Sequence, residues 1–267
     1  MGTDHRKLWR NNQDSYYIHK SLNALIGVVS DGCGSVENSE AGAVLLPRLL
    51  AVSIQSRIAS SNSWAMENLM RSPLVTSTFL ESCLEDIRDK LLHIARYQHS
   101  VLVPMTATLV GFLVTKYGAA VFSLGDGVIG DAKWYALLEC GNEPPYLIHA
   151  TGLAGTEKAN NTHFITHYTF TPATVGISAI MVGTDGLAEL IGKVGCQIPG
   201  TCQAIPSFGH SCGMPWPYEN SASLQRMLNR IQGVAKNREG LLRDDTTVIM
   251  ARKLPDHVLS DGESKEE

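Results

Sequence analysis

The sequence predicts an α+β fold: a β-sandwich of two mostly antiparallel sheets flanked by helices. The apolar patterns run strand pair, two helices, a run of strands, a helix and a final strand, and they do not alternate as βαβ units. Strand stretches such as "NALIGVVS" (23–30) and "ISAIMVG" (177–183) are almost continuously apolar, as strands covered on both faces are. Two sheets packed face to face, with helices outside, account for both observations.

The elements follow in order. "SYYIHK" (15–20) and "NALIGVVS" read as consecutive strands joined by a polar turn at Ser21–Asn23. Residues 37–59 carry Ala41, Val44, Leu45, Leu49 and Val52 at helical spacing, with Asn38, Ser39 and Glu40 near the start. Pro47 predicts a kink or break in that helix. A second amphipathic helix is expected at about 75–97, on Phe79, Leu80, Cys83, Leu84, Ile87, Leu91 and Ile94. "TATLVGFLVTKYGAAVFSLGDG" (106–127) reads as a hairpin turning at 116–118, and "KWYALLE" (133–139) as its next strand. "THFITHYTF" (162–170) alternates and predicts another strand, followed by "ISAIMVGTD" (177–185). A short helix at 186–191, an irregular Gly-, Pro- and Cys-rich region at 192–218, a helix at about 219–239 and a last strand, "TTVIMARK" (246–253), complete the pattern. The charged tail, 255–267, is too poor in apolar residues to pack and is expected to be disordered.

A length of 267 residues with 44% hydrophobic content fits one large domain. The net charge of −4 leaves no electrostatic footprint for nucleic acid or an anionic membrane. The N-terminus is polar, Arg6 stands where a myristoylation signal needs Ser or Thr, and no apolar run approaches the ~20 residues that span a bilayer. These features predict a cytoplasmic protein with no nucleic-acid or membrane partner. Six scattered cysteines without a C-x-x-C pair read as reduced thiols, mostly buried; the spacing of Cys196, Cys202 and Cys212 fits no standard zinc pattern.

Two motifs match without their context. "GDGVIG" (125–130) has the glycines of a dinucleotide fingerprint, but Asp126 puts a carboxylate where phosphates would approach and no helix follows. It reads as a tight turn between strands. "GHSCG" (209–213) matches a nucleophile elbow, yet prolines on both sides deny it a strand before and a helix after. It reads as a surface loop in which Ser211 is not a nucleophile. His163 and His167 lie four apart in a strand without the glutamate of a zincin, and read as surface residues.

The recurrent feature is aspartate at strand ends: Asp31 in "VVSDGCG", Asp126 in "FSLGDG", Asp185 in "VGTDGL" and Asp244 in "RDDTTV". Asp-Gly is ordinary turn chemistry, so each could cap its own turn. If adjacent strand ends instead gather them, their mutual repulsion requires neutralising cations. Carboxylate and carbonyl oxygens suit Mg²⁺ or Mn²⁺ rather than zinc or copper, and the carbonyl of Gly32 is free to reach the same ion as Asp31.

"NNQDS", "VVSDGCGSVENSEAGA", "TATLVGFLV", "FSLGDG", "VGTDGLAEL" and "RDDTTVIMARK" stand in the order of the protein phosphatase 2C-like family, which these motifs resemble; its members are metal-dependent Ser/Thr phosphatases. The resemblance covers about residues 2–252, is strongest to the bacterial branch, and assigns a phosphatase domain to 1–254. It implies that Asp31 bridges two metals, with the Gly32 carbonyl on the second, and that Asp185 and Asp244 are ligands. Asp126, with Asp185, resembles the holder of a third metal in many bacterial members, and Asp245 stands where the family usually has Asn. Asp14 in "NQDS" matches the first-motif acid that supports the site. The implied reaction is hydrolysis of a phosphoprotein monoester by a metal-bridged water, with Asp14, Asp31 and Asp185 at its centre and a Ser/Thr kinase opposing it.

The departures are as specific. Many relatives place an Arg five residues before the first-motif Asp to grip phosphate; here the residue is Trp9, leaving Arg10, then His5, as candidates for phosphate binding. Eukaryotic members have His after the first Asp-Gly where this chain has Cys33. The 192–218 stretch occupies the family's variable flap position. An alternative reading is a catalytically silent member of the same fold that binds a phosphoprotein without turnover; a small-molecule phosphoesterase is a third.

Overall fold

The computed structural model describes residues 11–98, 103–140, 144–151, 166–170, 178–198, 201–220, 222–231 and 241–253. Nine strands form two antiparallel sheets among these residues. The first sheet has the order β1 (Asp14–Lys20), β2 (Ala24–Asp31), β3 (Leu109–Thr115), β4 (Gly118–Leu124) and β7 (Thr166–Phe170). The second has the order β6 (Tyr135–Leu138), β5 (Gly127–Asp131), β8 (Ala179–Gly183) and β9 (Val248–Arg252). The predicted sandwich is therefore present, with helices on its outer faces.

Side-chain alternation explains the doubly apolar strands. In β2, Val29 faces the other sheet while Ile26 and Val28 face helices; in β3, Val110 and Phe112 point inward while Leu109 and Leu113 point outward. Ile129, Ile180, Val182 and Ile249 of the second sheet close the layer between the sheets. The outer face of the first sheet is covered by helices α1 (Glu40–Ala59), α2 (Ser63–Arg71) and α3 (Pro73–Gln98). The outer face of the second is covered by α4 (Asp185–Ile191), α5 (Phe208–Gly213) and α6 (Ser223–Ile231).

Close approach between strands uses glycine. A Cβ on Gly27 would lie 2.5 Å from the ring of Phe112, its cross-strand partner, and one on Gly111 would lie 2.7 Å from the ring of Phe122. Each ring therefore lies over a bare backbone in the neighbouring strand.

Several expectations need correction. α1 runs through Pro47 without a break, because Pro47 is buried beside Leu46, Leu50, Ile54 and Ile58. The missing backbone bond costs about 3 kcal/mol, while each buried aliphatic side chain contributes roughly 1.5–3 kcal/mol. The buried face of α1 is also rotated from the expected one: Val44 and Val52 are exposed, and Gly42, Ala43, Leu46 and Leu50 are packed. The helix is apolar nearly all round, so periodicity alone does not choose its face. It is long and apolar enough to cross a membrane, contrary to the sequence reading, but half of that window is buried within the fold.

The sequence pattern does not announce α2, and "GDGVIG" is more than a turn, since residues 127–131 form β5. "GHSCG" belongs to a helix, not a loop, with Ser211 and Cys212 buried. Only Cys83 and Cys212 are buried; Cys140, Cys196 and Cys202 are exposed, and all six thiols are free. The last helix ends its described part at Ile231. Residues 254–267 and His163 lie outside the described residues.

Candidate active site

Antiparallel pairing brings the strand ends to one end of the sandwich. Asp14 opens β1 and Asp31 closes β2, and the two are direct cross-strand partners. Asp31 is fixed on its other side by Thr108, whose N–H donates to the Asp31 carbonyl at 2.8 Å and whose Oγ1 accepts from the Asp31 N–H at 3.2 Å. Gly32 then bridges to Ala107 and donates its N–H to the Gln13 carbonyl at 3.0 Å. A Cβ there would sit 2.8 Å from Ser39, so the start of α1 approaches closely only because the residue is glycine.

In the second sheet, β8 ends at Gly183 and Thr184 precedes α4, which makes Asp185 the first helical residue. The chain entering β9 runs alongside: the Thr184 N–H donates to the Thr247 carbonyl at 3.0 Å, and the Thr247 N–H donates to Thr184 Oγ1 at 3.1 Å. Asp244 lies in this segment, steadied by Glu189 of α4, whose Oε2 accepts from the Arg243 N–H at 2.8 Å and the Asp244 N–H at 3.5 Å. Asp244 Oδ1 in turn accepts from the Asp245 N–H at 2.8 Å. A Cβ on Gly186 would stand 1.8 Å from the Asp245 carbonyl oxygen, so the second residue of "DG" is glycine for space.

Asp126 occupies the passage from β4 into β5, where the chain leaves one sheet for the other. Gly125 and Gly127 on either side have φ of +95° and +154°. Asp126 Oδ1 accepts from the Cys140 N–H at 2.5 Å.

Two hydrogen bonds tie the acids of one sheet to those of the other. Thr184 Oγ1 donates to Asp14 Oδ2 at 2.7 Å, and the Gln13 N–H donates to Asp245 Oδ2 at 2.8 Å. Asp245 is fully buried.

The electrostatics show that the carboxylates share one environment. Burial pushes Asp14 up to about 7; the Thr184 hydroxyl opposes this, while Asp245 and Asp185 reinforce it. Burial, then the charges of Asp14, Asp185 and Asp244, hold Asp31 well above the usual carboxylate range. Asp185 rises to about 6 through burial first, then Asp244 and Asp126. Asp14, Asp31, Asp126, Asp185 and Asp244 are thus brought together. The phenol of Tyr146 is raised by burial, by contact with Cys33 and by the charges of Asp31 and Asp126, which places it beside the same cluster.

The donor chemistry fits a divalent cation. Asp14 Oδ1 and Asp185 Oδ1 are buried without a hydrogen-bond partner, and among the described residues no Lys or Arg forms an ion pair with Asp14, Asp31 or Asp185. Hard oxygen donors in such an environment suit Mg²⁺ or Mn²⁺. Among the described residues no three Asp, Glu, His or Cys side chains already converge as a finished ligand set.

Arg10, His5 and Trp9 lie outside the described residues. Cys33 is half-buried, with Sγ 3.1 Å from Ser35 Oγ. Sequence reasoning assigns no role to Thr184, Thr108, Glu189 or Tyr146. Thr184 sits inside the "TDG" stretch and is findable there as a helix cap, whereas nothing near "EPPYLIH" marks Tyr146.

The Protein phosphatase 2C family model matches residues 1–229. Among solved structures, a bacterial serine phosphatase carrying a single substitution superposes with a TM-score of 0.50 and 16% identity, over 91% of this chain and 92% of that one. The serine/threonine phosphatase Stp1 from Staphylococcus aureus gives a TM-score of 0.46 and 16% identity, over 92% and 91%. No curated protein matches the chain. At 16% identity the first of these likenesses is one of fold.

Proposed function

The chain belongs to the protein phosphatase 2C family, and from that premise we propose that it is a metal-dependent protein Ser/Thr phosphatase. The observation that carries the proposal is the set of buried, mutually raised aspartates assembled from both sheets, with orphaned oxygens on Asp14 and Asp185.

Asp31 with the Gly32 carbonyl, Asp185 and Asp244 would hold two Mg²⁺ or Mn²⁺ ions, and Asp126 with Asp185 a third. When bound, such ions supply an acidified water and positive charge beside the phosphoryl oxygens, so that the monoester is hydrolysed without a phosphoenzyme. The chain's own residues supply placement. Thr184 fixes one oxygen of Asp14, and the other is buried without a partner. Glu189 and Gly186 set the loop that carries Asp244 against α4. Thr108 fixes the backbone on either side of the Asp31 carboxylate. Arg10, then His5, are the residues proposed to grip the phosphate. The substrate is a phosphorylated protein, opposed by a Ser/Thr kinase.

Cys33 stands where eukaryotic members have His, and Trp9 where many relatives have Arg, which favours one further reading, a silent phosphoprotein-binding member. Hydrolysis of a phosphothreonine peptide with Mn²⁺, with and without chelator, separates the two. Metal-dependent turnover that is lost in Asp185→Asn supports the phosphatase. Peptide binding without turnover by folded protein supports the silent member.

A further inference from the structure

A cleft of about 650 Å³ opens on the outer side of the second sheet, between α6 and the loop residues 197–198 and 201–206. Ser223, Arg226, Met227 and Arg230 line it from α6. Their spacing of three, one and three residues places all four on one helical face. Ile198, Ala204 and Pro206 line it from the loop, with Trp216 beside them. The volume lies within the range of small-ligand and peptide pockets.

The cleft is assembled for binding from outside rather than closed on itself. Arg226 donates to Asn220 Oδ1 at 2.8 Å, but among the described residues the guanidinium of Arg230 has no hydrogen bond or ion pair. Glu219 is the one acid among the described residues of the lining. Two cations over an apolar floor stand out on a chain whose net charge is −4. Two guanidiniums are too few to hold a long polyanion such as a nucleic acid, whose binding draws on many phosphate contacts. An acidic peptide needs only two such charges, and its apolar side chain finds Trp216 and Met227.

We propose that this cleft docks an acidic segment of a protein partner that carries an apolar side chain beside its carboxylates. The partner's identity as the phosphoprotein substrate rests on the phosphatase reading, and the docking itself does not. Substrate engaged here would be held by a surface separate from the aspartate end of the sandwich.

The test is fluorescence anisotropy with the full chain and a labelled, unphosphorylated peptide of alternating Asp and Glu with one Leu and one Phe. A basic peptide of the same length and a single-stranded oligonucleotide serve as competitors. The expected result is saturable, salt-sensitive binding weakened about tenfold or more in Arg230→Glu and further in the Arg226→Glu/Arg230→Glu pair. Trp216→Ala should weaken it without altering the salt dependence. Equal binding by wild type and the folded double variant overturns the proposal, as does stronger binding of the basic peptide or the oligonucleotide. Hydrolysis of p-nitrophenyl phosphate, measured in parallel, reads the phosphatase assignment alone. Unchanged hydrolysis in Arg230→Glu alongside lost peptide binding supports the cleft. Absent hydrolysis with intact binding also supports it while removing the phosphatase reading.

Discussion

Thr184 Oγ1 and Asp14 Oδ2 are 2.7 Å apart, a hydrogen bond between residues 170 positions distant that joins the end of β8 to the start of β1. Both groups are buried; Asp14 opens a strand of the first sheet, and Thr184 directly follows a strand of the second. The same hydroxyl accepts from the Thr247 N–H, so one threonine links three segments of the candidate site.

Thr184→Val keeps the shape and removes both bonds. Leaving a buried carboxyl and a partly buried N–H short of partners should cost about 1–3 kcal/mol. For a chain of this size that lowers the melting temperature by roughly 2–4 °C per kcal/mol. A urea titration and a thermal melt check it. Loss of Mn²⁺-dependent stabilisation beyond this decrement is expected too, because Asp14 is then no longer held.

Asp185→Asn should have opposite effects on stability and turnover. Asp185 sits at about 6 because burial and its acidic neighbours disfavour its charge. Removing that charge is expected to raise the melting temperature of the metal-free protein at about pH 7.5, above that value, while abolishing hydrolysis. Calorimetry under chelation, paired with the phosphopeptide assay, reads both.

The pH dependence follows from the same cluster. Asp14 and Asp185 titrate at about 7 and about 6 in the folded chain, against 3.8 for an ordinary Asp. Between those values the folded state keeps protons that the unfolded state has released. The stability these two groups contribute to the metal-free chain is therefore fully present below 3.8 and is lost as pH rises through about 6 and about 7. Melting temperature against pH, in chelator, should show the decline, and added Mn²⁺ should flatten it.

Gly186→Ala should be severe. The new Cβ would meet the Asp245 carbonyl at 1.8 Å, which forces the strand-entry loop from α4. A cost of about 3 kcal/mol or more is expected. Loss of soluble folded protein, or a much lower urea midpoint by circular dichroism, would check it.

Much of the sandwich was legible because both faces of each inner strand are buried, and a continuous apolar run as short as that of β2 fits little besides a strand covered on both sides. The acids were legible because each ends or precedes such a run. What escaped is set by surroundings rather than by local pattern. The buried face of α1 was ambiguous because apolar residues occur on every side of it. β5 was hidden because its glycines, at 127 and 130, resemble turn chemistry, whereas Gly130 is needed where Tyr135 packs across it. Helix α5 was masked by the prolines around it, although Ser207 caps it by accepting from the His210 N–H. Tyr146 reaches the acids only through the fold.

Phe112 over Gly27 and Phe122 over Gly111 have a further effect. A slip of two residues between neighbouring strands would preserve the in-out alternation, so alternation alone does not forbid it. These rings do, since each fits above a residue without a side chain and would collide with Cβ atoms two positions along. The pair acts as a vernier that fixes how far β2, β3 and β4 advance past one another. Asp31 is therefore aligned with Thr108 by contacts made in mid-sheet, and enlarging either glycine would misalign the distant acids before it disturbed any of them directly.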